Sequence, residues 1–283
     1  MENFFKKTQG RCFGTFNLKG EQLALSFKHA LETGYNFFDT AQWYENEFDL
    51  GEAIKKTGIN RSDIMITTKV HPDNYKEELF INSVHKSLKD LKTDYVDVLL
   101  LHWPDKSGDN SLSLDLLQKT HDKGLAKYIG VSNYNIAMLN EAINKLTVKP
   151  ITNQIEFHPL IDQSKILNFA KSKNIDLFAY CSIARGKILE ISTLNNIAIR
   201  HKISIPQVAQ HWAYQKGVIV NSMSTKPDNI NDNFNILNFE LSIEEMSQIS
   251  NLNSENHRIV TSCLLYTSPS PRDGLQSRMP SSA

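Results

Sequence analysis

The chain lacks an excess of either charge: its 283 residues carry 31 basic and 31 acidic side chains. That balance, with no polybasic run, argues against a nucleic-acid binder, which gathers Lys and Arg on one face. Long apolar runs are also absent. Stretches such as Val96–Leu101 fall far short of the roughly 20 residues that a membrane span needs. The opening MENFFKKTQGRCFG has no apolar signal-peptide region. Neither a nucleic-acid nor a membrane partner is expected, and a cytoplasmic location is the default. Cysteine is scarce. Cys12, Cys181 and Cys263 form neither a CxxC pair nor a disulfide framework, and an odd, scattered set suits a reducing compartment. Twelve glycines run from Gly10 to Gly274, and no two stand two residues apart. The GxGxxG fingerprint is therefore missing, and any dinucleotide would be held in a non-Rossmann way. With no HxH pair and no HExxH run, no metal site is expected either.

What the chain does have is a regular alternation. Short apolar segments at 11–14, 36–39, 64–69, 96–102, 128–131, 152–156, 176–180 and 218–221 read as strands. Several are β-branched or aromatic runs without polar alternation, as strands covered on both faces should be. Segments 22–32, 50–56, 77–91, 112–123, 136–146 and 164–173 place apolar residues at helical spacing. A further helix is expected over 206–215, with Pro206 near its first turn, where a missing N–H costs least. Eight strands with helices between them predict a single-domain α/β fold, a (β/α)8 barrel over 1–261 rather than an open doubly wound sheet.

The last stretch breaks the pattern. SCLLYTSPSPRDGLQSRMPSSA, residues 262–283, is rich in Ser and Pro and has no apolar period, so it reads as disordered. CLLYTSPSPRD also resembles the translation of a sequencing-library transposase adapter. Residues 262–283 are accordingly set aside from fold reasoning as a non-native tail.

In such barrels the chemistry sits at the C-terminal ends of the strands. Asp39 ends the second predicted strand, Tyr44 lies in the loop beyond it, Lys69 ends IMITTK, and His102 ends the fourth strand. Taken singly, each has an ordinary reading: a turn-forming Asp, an aromatic with a wet hydroxyl, a solvated Lys, a structural His. Their coincidence at neighbouring strand ends favours function. An ammonium near the phenol is expected to lower its pKa and make Tyr44 the better proton donor. Asp39 would offset the cost of keeping Lys69 charged in a dry site, and His102 would hydrogen-bond a substrate oxygen. That set suits addition of a hydride to a carbonyl carbon while Tyr44 protonates the oxygen. His29, His85, His121 and His158 are expected to be structural.

At these residues the sequence resembles the aldo-keto reductase family. The matching blocks are GYNFFDTAQWYENEFDLGEAI, SLKDLKTDYVDVLLLHWP, GLAKYIGVSNYN, TNQIEFHP and STKPDNINDNF, in family order. Within that family the chain is most similar to bacterial enzymes acting on diketo sugar acids and methylglyoxal. The resemblance implies a (β/α)8 barrel with NADPH extended across its mouth, NADH remaining an alternative. It maps the catalytic tetrad onto Asp39, Tyr44, Lys69 and His102, and the carboxamide-binding group onto Ser132, Asn133 and Gln154. Tyr180 takes the position that stacks on the nicotinamide, and Thr15 that of a ribose or amide contact. Phe16, Trp43 and Trp103 match positions lining the substrate pocket.

The departures concern the cofactor's far end. Most relatives have Ile-Pro-Lys-Ser after the eighth strand, its lysine meeting the 2′-phosphate; here that lysine is Met223, and the arginine expected six residues later is Asn229. The Ser224-Thr225-Lys226 run is implied to bind the phosphate instead. Asp232 and Asn233 match the adenine-contacting pair, with Asp replacing the usual Glu. Cys181 falls in YCSI, where Tyr-Ser-Pro-Leu is more common, and reads as packing. The tail stands where the family has a C-terminal loop that helps close the pocket. The expected function is NADPH-dependent reduction of small aldehydes and ketones by a monomer. Two alternatives stand beside it: a cofactor-binding regulatory subunit on the same barrel, and a Schiff-base aldolase using Lys69.

Overall fold

The computed structural model describes residues 4–254 and 256–260. Eight parallel strands close into a barrel in sequence order: β1 (Arg11–Gly14), β2 (Phe37–Asp39), β3 (Met65–Val70), β4 (Val96–Leu101), β5 (Ala126–Ser132), β6 (Thr152–Glu156), β7 (Asp176–Tyr180) and β8 (Ile219–Ser222). Around it lie α1 (Phe4–Lys7), α2 (Gly20–Thr33), α3 (Glu47–Thr57), α4 (Glu77–Asp90), α5 (Ser111–Asp122), α6 (Ile136–Lys145), α7 (Ser164–Ser172), α8 (Ser192–His201), α9 (Ile205–Gln215), α10 (Pro227–Phe234) and α11 (Ile243–Ser250). The predicted barrel is therefore present. Each predicted element is found within a few residues of its expected bounds. Helices α1, α8, α10 and α11 go beyond the expectation. The predicted tail, 262–283, lies outside the described residues.

Local chemistry explains several boundaries. Gly34 ends α2 with φ of 117°, a conformation that other residues resist. Ser204 and Gln207 form a reciprocal capping box at the start of α9, with Pro206 in the first turn. Ser242 and Glu245 do the same for α11. No helix among the described residues is long and apolar enough to cross a membrane.

Strand periodicity decides which residues fill the barrel. The interior packs Cys12, Phe37, Val98, Leu100, Phe178 and Ile219, joined by Met65 and Tyr128. Phe4 on α1 closes the N-terminal end of the barrel, meeting Phe37 edge-on with ring centroids 5.6 Å apart. The alternate strand residues, such as Phe13, Phe38, Ile66 and Leu99, face outward into the larger core beneath the helices. Past this layer the strands reach their C-terminal rim, and there several inward positions are polar: Asp39 follows Phe37 by two residues, His102 follows Leu100, Tyr180 follows Phe178 and Asn221 follows Ile219.

Candidate active site

That rule builds the site. On β2, Phe37 points inward, Phe38 outward, and Asp39 inward again. On β3 the same alternation brings Lys69 inward beside it. Lys69 is fully buried, and its ammonium donates to Asp39 Oδ2 at 2.7 Å, to the Thr40 carbonyl at 2.9 Å and to the Tyr44 hydroxyl at 3.1 Å. Three N–H groups meet three acceptors, the full capacity of an ammonium. Asp39 is just as enclosed: Gln154 Nε2 donates to its Oδ1 at 2.9 Å, and Asn221 Nδ2 to its Oδ2 at 3.1 Å. His102, one residue past the end of β4, sets its ring at right angles to Tyr44 with centroids 5.7 Å apart. The four expected residues thus converge on one rim.

Electrostatics partly overturns the expectation for the phenol. Burial pushes the Tyr44 pKa up, and although Lys69 pulls it down, the net direction is above the ordinary tyrosine value, with Asp39 also raising it. The ammonium alone would lower the phenol's pKa, but desolvation and the carboxylate behind Lys69 outweigh it. For Lys69, burial is the largest single influence and lowers the pKa; the charges of Asp39 and Tyr44 and the bonds to them together carry it above the ordinary lysine value. The group stays an ammonium, which disfavours the Schiff-base alternative, since that chemistry needs the free amine. Burial, with Lys69 and His71 nearby, holds His102 well below the usual histidine range, so its ring is neutral. His102 Nδ1 is buried without a hydrogen-bond partner.

The flanking residues fall around this centre. Ser132, at the end of β5, donates to the Gln154 carbonyl at 2.8 Å. Asn133 donates to the His102 carbonyl and to Ser132 Oγ, each at 3.1 Å, and accepts from the Tyr180 hydroxyl at 2.7 Å. Ser132, Asn133, Gln154 and Tyr180 therefore form one connected group beside Asp39. Thr15 is buried, its hydroxyl donating to the Asp39 carbonyl at 3.0 Å. Phe16 and Trp43 are half exposed at the mouth, Phe16 edge-on to Tyr44 at 5.1 Å and Trp43 edge-on to His102 at 5.6 Å. Trp103 is buried and lies nearly parallel to the His102 ring, with centroids 6.3 Å apart.

Further out, Thr225 and Lys226 are exposed immediately before α10, and Ser224 Oγ accepts from the Lys226 backbone N–H at 3.1 Å. Asp232 is exposed, whereas the Asn233 side chain turns inward and accepts from Gln210 Nε2 at 2.8 Å. His158 is fully buried with Nε2 2.8 Å from Glu156 Oε1, the structural role expected of it. Cys181 is half buried, and burial raises its thiol pKa, in keeping with packing.

Three contributors escaped the sequence reading. Thr40 supplies a backbone carbonyl to Lys69, which no side-chain pattern reveals. Asn46 looks like the N-cap of α3 but makes no capping bond. Its buried amide instead ties Thr40 Oγ1, the Thr15 carbonyl and the Leu18 carbonyl together, fixing the loops after β1 and β2. Asn221 is a polar residue at an inward strand end, the signal that singled out Asp39 and Lys69.

A closed (β/α)8 barrel with this constellation at its C-terminal rim is the architecture of a carbonyl-reducing enzyme, and the chain belongs to the aldo/keto reductase family, whose model matches residues 12–254. Among curated proteins it is similar to the methylglyoxal reductase DkgB of Escherichia coli O157:H7, 37% identical over 251 residues that cover 88% of this chain and 94% of that one. The glyoxal reductase of Bacillus subtilis (strain 168) is 36% identical over 245 residues, covering 86% and 88%. Among solved structures, a provisionally assigned 2,5-diketo-D-gluconic acid reductase B superposes with a TM-score of 0.88 at 39% identity, covering 90% of this chain and 92% of that one. The protein is an oxidoreductase of the aldo-keto reductase type.

Proposed function

We propose that the protein reduces small aldehydes and ketones, such as methylglyoxal and diketo sugar acids, to alcohols with NADPH, acting in the cytoplasm as a monomer. The observation that carries this reading is the Lys69 ammonium held between Asp39 and the Tyr44 hydroxyl, with a neutral His102 beside them. When bound, the reduced nicotinamide supplies a hydrogen with its electron pair to the carbonyl carbon. Lys69 already donates to the Tyr44 oxygen, so the phenol's own proton is left for a substrate oxygen. Its raised pKa keeps Tyr44 protonated at neutral pH. As the proton leaves, the growing phenolate charge meets an ammonium that needs no reorganisation. An orphaned buried acceptor is better tolerated than an orphaned donor, which favours a bare Nδ1 on His102 and places its proton on Nε2, ready to donate to the same carbonyl oxygen. The half-exposed rings of Phe16 and Trp43 give that carbonyl an apolar approach.

The donor set suits a nicotinamide dinucleotide. Ser132, Asn133 and Gln154 present amide and hydroxyl groups fit for a carboxamide, with the Tyr180 ring beside them and Thr15 across the rim. The exposed Lys226 ammonium, flanked by Ser224 and Thr225 at the start of α10, suits a 2′-phosphate. Asp232 and Asn233 would reach adenine, Asn233 with its Oδ1 held by Gln210. One ammonium serves the phosphate, so discrimination against NADH is expected to be modest.

Turnover is followed by the loss of reduced-nicotinamide absorbance with methylglyoxal, a nitrobenzaldehyde and a diketo sugar acid, using NADPH and NADH in parallel. Replacing Tyr44→Phe should cut turnover by about 10²–10⁴-fold while NADPH still binds. Wild-type turnover in that variant would remove Tyr44 as the donor, and tight NADPH binding without turnover of any carbonyl would favour a regulatory role.

A further inference from the structure

We propose that Asn221 is a positioning residue of the site, its side-chain amide holding the Asp39 carboxylate from the β8 side and leaving the Lys69 ammonium turned toward the Tyr44 oxygen. Asn221 faces the barrel interior next to Cys12 of β1. Its Nδ2 donates to Asp39 Oδ2 at 3.1 Å, the same oxygen that accepts from Lys69 at 2.7 Å. The amide's orientation follows from its partner: turning it over would set its oxygen against a carboxylate oxygen. Held this way, Oδ1 is buried with no hydrogen-bond partner. Its neighbour is the backbone of Gly14, where an added Cβ would lie 2.7 Å from that oxygen. Glycine at 14 is thus what lets the amide reach the carboxylate.

The consequence is electrostatic. Two donors on one Asp39 oxygen, with Gln154 on the other, spread the carboxylate's charge over three partners. The positive end of the Asn221 amide also points toward the cluster. Both effects make the surroundings of Tyr44 less negative and its phenol more acidic. The ionisable groups facing Tyr44 are Lys69 on β3, Asp39 on β2, His102 after β4, and Tyr180 and Cys181 at the end of β7. Asn221 acts through Asp39 and Lys69 and need not touch the substrate.

The test reads the phenol directly. The full chain is labelled with 3-fluorotyrosine, whose fluorine lowers the phenol's pKa and reports its ionisation, and the Tyr44 resonance is assigned by its absence from Tyr44→Phe. In Asn221→Leu, with the same branched outline in bulkier methyl groups and no donor, the Tyr44 midpoint should rise by about half a pH unit, a roughly threefold weaker acid. In Asn221→Asp it should rise further. If Asn221→Leu does not fold, Gly14→Ala keeps the amide but pushes it aside, and the same upward shift is expected. An unmoved or lowered midpoint in the folded variants overturns the proposal. A second arm, resting on Tyr44 as proton donor, follows the alkaline limb of kcat/KM against pH. If the phenol midpoint moves and that limb does not, it is the proton-donor reading that fails, and the positioning role stands.

Discussion

Lys69 shows how one buried charge is kept in place. Its ammonium has a carboxylate, a backbone carbonyl and a phenol as acceptors, and no N–H remains over. The pair it forms with Asp39 lies in the dry interior of the rim, where desolvation of both ions is costly and only good geometry offsets it. Breaking such a pair from one side is worse than never having it. Lys69→Met would leave Asp39 with two amides and no cation. Stability measured by urea denaturation should fall by about 3–5 kcal/mol, and turnover by at least about 100-fold. Wild-type stability in that variant would show that Asp39 does not depend on its partner.

At the scale of elements, the site leans on the contact between β3 and helices α3 and α4. Thr68 points outward, opposite to Lys69, and donates to Glu47 Oε1 at 2.5 Å; Ser87 on α4 donates to Oε2 at 3.0 Å. Burial raises the Glu47 pKa from 4.5 to about 7, against the lowering effect of those two hydroxyls. A carboxyl whose folded pKa is raised favours the native state most while it is protonated. Its contribution is full below pH 4.5 and is lost as pH rises to about 7, above which the loss is constant. The span corresponds to about 3 kcal/mol. Glu47→Gln, with the same shape and no charge, should flatten the fall in stability between pH 4.5 and about 7 and leave the protein more stable above it. Urea midpoints across that range decide it: parallel slopes in the two proteins would mean that Glu47 ionises freely in the fold.

At the scale of the whole molecule, the barrel is plugged at one end and carries the polar cluster at the other. Phe4 on α1 packs against Phe37 and Tyr128 beneath the interior apolar layer. Phe4→Ala removes a buried ring far from the rim, and stability should drop by about 3 kcal/mol with turnover per folded molecule unchanged; a drop in turnover without a loss of stability would place α1 in the reaction. At the other end, Glu156 accepts from the backbone N–H groups of Ile259 and Val260 at 2.6 and 3.0 Å, drawing the chain after α11 back to the rim beside Tyr180.

The sequence by itself determined the architecture and four of the polar groups at the rim. Strands buried on both faces must be continuously apolar, amphipathic helices must alternate with them, and a polar residue ending such a strand stands out against that background. Asp39, Lys69 and His102 were legible for that reason, and Tyr44 as the phenol in the loop just beyond Asp39. Only the tertiary structure decided what holds each in place and in which direction the Tyr44, Lys69 and His102 pKa values move. The phenol of Tyr44 sits above its ordinary value because desolvation outweighs the ammonium, a balance of burial that no spacing of residues encodes. Asn221 lies 182 positions from Asp39 in the chain, and they meet because β8 closes on β1 to complete the ring, bringing both ends of the fold to one carboxylate.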